Sequence, residues 1–153
     1  GCAPAPLQRW AGWAEARKAI EALRAGGTSA TGAWSLAQVL EHAAQSVEYS
    51  ISGFPEMKPG AFRATIGRAA WALFDARGRM SHPLDQPIPG APVLQAGRPL
   101  SAAIDRLLAA MDRFDAHTGA LKPHFAYGEL DKPAYARAHL MHLADHWQEF
   151  RAA

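Results

Sequence analysis

Apolar residues return every three or four positions through most of this chain, and no segment alternates as a half-buried strand must. Val and Ile are sparse while Ala is abundant, which favours the same helical answer. Trp10, Trp13, Ala16, Ile20 and Leu23 predict a first helix over 7–24, stopped by Gly26-Gly27. Ser35, with Gln38 three residues on, is a capping-box pattern opening a second helix. Its stripe is Leu36, Val39, Leu40, Ala43 and Val47, and it ends near Gly53-Phe54-Pro55. Phe62, Ile66, Ala70, Leu73 and Phe74 predict a third helix from Gly60 to Arg79. Residues 81–99 are rich in Pro and Gly and read as a long connection. A fourth helix over 101–119 carries Ile104, Leu107, Leu108, Met111 and Phe114. A fifth has Asp131 as N-cap and Pro133 in its first turn, then runs through Tyr135, Leu140, Leu143 and Phe150 to the end of the chain.

Five amphipathic helices and one long connection predict an all-α fold over 7–153. The expected form is an antiparallel four-helix bundle with the remaining helix packed on the crossover. At 153 residues, with 49% hydrophobic and 20% charged side chains, such a chain buries a core without needing a disulfide or a metal to fold. One Cys excludes an internal disulfide framework, and a net charge of +2 argues against a nucleic-acid-covering protein. No apolar run reaches the ~18 residues needed to cross a bilayer. Gly1-Cys2-Ala3-Pro4-Ala5-Pro6 resembles the cleavage junction of a bacterial lipoprotein. On that reading Cys2 bears a lipid anchor, residues 1–6 are a tether and the protein is exported. The alternative is an ordinary terminus of a cytoplasmic protein, and both stay open.

Seven His are present, and three of them lie in the last helix as His139-x-x-His142-x-x-x-His146. At about 100° per residue, His142 and His146 differ by about 40° one turn apart, with Cβ atoms about 5–6 Å apart. His139 is two turns before His146 and about 20° off its direction. Leu140, Leu143 and Phe150 flank this face, so the imidazoles turn toward the core, where each needs a partner. A divalent metal is one such partner, and His42 on the second helix is the candidate third ligand. Three His leave a coordination position open, as catalytic sites do. An i, i+4 His pair also arises with no metal role. The metalloprotease pattern is absent, because Leu143 rather than Glu follows His142. His82 and His117 read as exposed loop or helix-end residues, Arg63, Arg68, Arg77 and Arg79 as a solvated face, and the five Trp mostly as core.

Two stretches resemble the DinB/YfiT-like metalloenzyme superfamily. One is Trp34-Ser35-x-x-Gln38-Val39-Leu40-x-His42. The other is Pro123-His124-Phe125-x-Tyr127-Gly128-Glu129-Leu130 followed by His139-x-x-His142-Leu143-x-x-His146-x-x-Glu149-Phe150, which is similar to a branch described mainly as a domain of unknown function. The resemblance implies an up-down-down-up bundle holding a divalent metal, Zn or Ni, on His42, His142 and His146. Glu149 stands where Gln is common in that branch, and Asp145 where a further His often appears. Members with known activities include thiol-dependent transferases and isomerases, which implies a metal-dependent transferase acting on a small-molecule substrate with a small thiol. Hydrolysis is the other metal chemistry open to such a site. His139, Glu149, His124 and Tyr49 are candidates for the pocket wall or for contacts behind the ligands. The rival reading is a non-enzymatic ligand- or partner-binding module with a vestigial or vacant His cluster, for which a homodimer is one form.

Overall fold

A computed structural model describes residues 9–153; the expected tether at 1–6 and the expected lipid anchor at Cys2 lie outside the described residues. The chain is mostly helical. In order it forms α1 (Trp13–Ala22) with a 3-10 turn (Leu23–Ala25), β1 (Thr28–Ala30), α2 (Leu36–Ser52), α3 (Gly60–Ala64), α4 (Ile66–Arg77), α5 (Leu100–Ala116), α6 (Lys132–Trp147) and β2 (Phe150–Ala152). No helix among the described residues is long and apolar enough to cross a membrane.

α2 is the central element. Its first turn is fixed by the capping box: Ser35 Oγ accepts from Gln38 N at 3.2 Å, and Gln38 Oε1 accepts from Ser35 N at 2.8 Å. From Val39 to Val47 every side chain is buried, including the polar Glu41, His42, Gln45 and Ser46. A helix buried around most of its circumference must be covered by several others. α5 packs on one side of it and α6 on another, and α1 touches both α5 and α6. Paired side chains give the directions. Arg98 meets Glu41 and Arg106 meets Glu48, so α5 runs parallel to α2. His42 meets His142 while His139 meets Ser50, so α6 runs antiparallel to α2. Arg17–Asp112 and Arg24–Asp105 make α1 antiparallel to α5.

The structure departs from the sequence expectations in four places. α1 begins at Trp13 rather than Leu7, and Trp10 packs separately, edge-on to Trp147 at 5.0 Å. The third helix is split at Thr65, whose φ of −118° and ψ of −88° leave the helical region and whose hydroxyl donates back to Ala61 O. Its buried face is Gly67 and Trp71, while Ile66 and Leu73 are 64% and 53% exposed. Finally, the fifth helix stops at Trp147. Phe150–Ala152 instead pairs antiparallel with Thr28–Ala30, so a short two-stranded ribbon supplements the helices and the all-α description needs that addition.

Gly67 positions the segment before α6. A Cβ there would overlap the carbonyl oxygen of Ala126, so only glycine lets the 124–128 turn lie against α4. Arg68 clamps the same turn by donating to the carbonyls of Tyr127 and Glu129, so it is not simply a solvated charge. Gly67→Ala is expected to destabilise the protein by roughly 1–3 kcal/mol through overpacking. An unchanged thermal midpoint would show that the turn is free to move aside.

Candidate metal centre

The register of α2 against α6 decides which side chains meet. His42 lies on the buried stripe of α2 and faces His142 and His146 one turn apart on α6. The three ring centroids form a nearly equilateral triangle, 4.9 Å on each side. One nitrogen from each ring lies within 4.8 Å of the others, close enough for the three to hold one metal ion. His42 and His146 are buried and His142 is half-buried.

Nitrogen placement tests the fit. His42 Nε2 and His142 Nε2 are 3.1 Å apart. Two donors bonded to one ion at about 2.0–2.1 Å lie about 2.9 Å apart at a right angle and about 3.4 Å apart at the tetrahedral angle. The observed separation falls between those limits. His42 Nδ1 and His146 Nδ1 are buried with no hydrogen-bond partner, and this holds whether Nε2 meets an ion or another ring. Three imidazole nitrogens this close together are a donor set that fits a divalent cation.

The electrostatics agree. Burial, with His146 and His82 nearby, pushes the His42 imidazole down to about 3. His142 is held well below its usual value by burial and by the surrounding imidazoles. His146 is pushed down to about 4 by burial and by His82, against the opposite pull of Asp145. Neutral rings keep their lone pairs available, which is the state that binds metal.

His82 joins this cluster, contrary to its reading as an exposed loop residue. It sits on the connection between α4 and α5, with its Nε2 3.3 Å from His146 Nε2. No periodicity marks that segment, so its His carried no positional signal in the sequence. Trp34 also enters, its ring 4.8 Å from His42 and stacked at 6.1 Å on His146, and it walls the centre on that side.

The remaining candidates fall elsewhere. His139 bonds Ser50 Oγ at 3.2 Å and stacks on Tyr135, so its nitrogen is engaged away from the triad. His124 accepts the amide protons of Ala126 and Tyr127 on Nδ1, which leaves its own proton on Nε2. Burial pushes both rings down to about 3. The side chain of Glu149 fills the space over Gly32, and Tyr49 packs on Phe54; neither lines the cavity next to the histidines.

That cavity has a volume of about 240 Å³. His42, His142 and His82 form one wall, and the 124–127 turn with the Pro-rich connection forms the others. Ser46, Lys58, Gln86 and Tyr127 supply its polar groups. Burial raises the Tyr127 phenol to about 12, so it stays protonated and can donate.

A family model described as Protein of unknown function (DUF1569) matches residues 8–153, and the chain belongs to that family. No curated protein and no solved structure matches it.

The buried imidazoles set a pH dependence. Their folded values lie below the ordinary 6.5, so at mildly acid pH the unfolded chain binds protons that the folded chain refuses. Stability from this source is intact above about pH 6.5 and falls as the pH drops toward the folded values. The metal-free protein should lose urea resistance between about pH 6.5 and 5, above the range where carboxylates titrate. A midpoint constant across that interval would mean the rings are not buried neutral.

Proposed function

We propose that this member of the DUF1569 family is a metal-dependent enzyme of the DinB/YfiT-like type. In this reading α1, α2, α5 and α6 form a four-helix bundle in the up-down-down-up sense. Support comes from the paired side chains, which run α5 with α2 and both α1 and α6 against their partners. His42, His142 and His146 hold one divalent ion, Zn²⁺ or Ni²⁺, both of which accept imidazole ligands. The observation that carries the reading is the convergence of three neutral imidazoles from two helices beside a cavity. A bound ion would supply Lewis acidity and lower the pKa of a donor entering from the cavity.

The chain's own residues shape what reaches that ion. A cavity of about 240 Å³ admits a small molecule and excludes a folded partner. Its walls are largely apolar: Met80, Ile88, Phe125 and three prolines. Tyr127 and His124 offer protonated donors, and the exposed Lys58 lines the cavity as a cation. This combination suits a small, partly apolar substrate bearing an acceptor or anionic group. A transferase acting with a small thiol is the reaction the superfamily resemblance favours.

Protein purified without a metal-affinity column should bind about one Zn²⁺ or Ni²⁺ per chain by equilibrium dialysis and elemental analysis. His142→Ala should weaken binding by about 100-fold or more, since losing even an outer-shell partner costs about 10–100-fold. No stoichiometric metal in the native chain, or equal affinity in the variant, would reject the site and favour a binding module with a vacant cluster. A small thiol added to the Co²⁺-loaded protein should produce sulfur-to-metal charge-transfer absorption. Its absence would remove the thiol reaction while leaving the metal site standing.

A further inference from the structure

We infer that His82 is a fourth, displaceable ligand of this metal centre, carried on the crossover and oriented by Asp145. The inference rests on the three-His reading and adds to it the arm that closes the open side.

The His82 ring centroid lies 5.0 Å from that of His142 and 5.0 Å from that of His146. The triad's own spacing is 4.9 Å, so the fourth ring repeats it toward these two. Its Nε2 is 3.3 Å from His146 Nε2, again between the right-angle and tetrahedral separations for two nitrogens on one ion. The other end of the ring is held. Asp145 Oδ2 accepts the backbone N–H of His82 at 3.2 Å and lies 2.6 Å from Nδ1, close but off the line of the ring N–H. Asp145 Oδ1 accepts from Gln148 Nε2 at 2.6 Å. Both carboxylate oxygens are thus committed, to the His82 backbone and to Gln148, which fixes the buried Asp145 beside the ring.

Among the described residues no Lys or Arg forms an ion pair with Asp145. A buried carboxylate set against an imidazole is the arrangement that orients metal-binding histidines. His42, His142 and His146 sit in the middle or last turn of long helices, whereas His82 is on irregular chain and its side chain is 23% exposed. It also stands outside the set of three whose nitrogens all lie within 4.8 Å, and it lines the cavity together with His42 and His142. Of the four arms it is the one a ligand arriving through the cavity can replace.

The test counts imidazoles on the metal. Wild-type protein loaded with one equivalent of Co²⁺ should show four nitrogen ligands of imidazole type by X-ray absorption. His82→Ala should show three and bind Co²⁺ about 10–100-fold more weakly; Asp145→Asn, which leaves His82 in place, should lose about tenfold. Adding 2-mercaptoethanol to the wild type should lower the imidazole count from four to three as sulfur enters. Three imidazoles in wild type and His82→Ala alike, with equal affinity, would overturn the inference and leave the triad intact. Four imidazoles that persist with the thiol bound would overturn displacement. A wild type that takes up no Co²⁺ fails at the triad itself, which His82→Ala alone cannot mimic. Circular dichroism of both variants separates a lost ligand from a lost fold.

Discussion

An imidazole taken out of water must give its lone pair and its N–H to something, and this chain takes several out of water together. His42 enters from α2, and His142 and His146 enter from α6, into a volume where burial leaves little water to supply the missing partners. Packing α2 against α6 is therefore conditional on what sits between the rings. Facing nitrogens at 3.1 Å can share one proton between two rings. A cation instead accepts a lone pair from all three rings at once. The rest of the architecture is arranged around that contact. α5 covers another side of α2, Trp34 walls the rings on one flank, and the crossover lines the cavity beside them.

Much of this was legible from residue spacing because helices convert spacing into direction. The capping box at Ser35 and Gln38 fixed where α2 starts, and so which face His42 shares with Val39 and Leu40. His142 and His146 are one turn apart, and the register follows. His139 shows what direction alone omits. It points within about 20° of His146 but lies seven residues, or about 10 Å, further down the axis. At that height antiparallel α2 presents Ser50 rather than His42, so His139 is drawn into a different contact.

Other features depend on contacts between distant segments. Phe150 looks like the last apolar position of a helix. Its backbone instead pairs with Ala30, far away in sequence, and a short ribbon replaces the final turn. The split at Thr65 and the inward face of Gly67 and Trp71 follow from the approach of the 124–128 turn, which no local pattern announces. His82 was invisible for the same reason. A Pro-rich connection has no period, and the position of its side chains is set by what anchors the loop.

Those anchors come largely from the two helices that carry the three histidines. Gln38 and Gln45 of α2 donate to the carbonyls of Leu94 and Pro92 on the crossover, and Asp145 of α6 holds His82 at its beginning. Ile88 and Met80 are buried beneath the same stretch. Ordering so long a connection costs conformational entropy, and a purely covalent link between α4 and α5 would not need it. Side chains from α2 and α6 that reach across to fix the loop tie its conformation to the spacing of those two helices. The spacing of α2 and α6 is in turn what brings the triad's nitrogens together. Occupancy of the centre and the position of the cavity wall are thus one mechanical problem, because a change in either moves the same two helices.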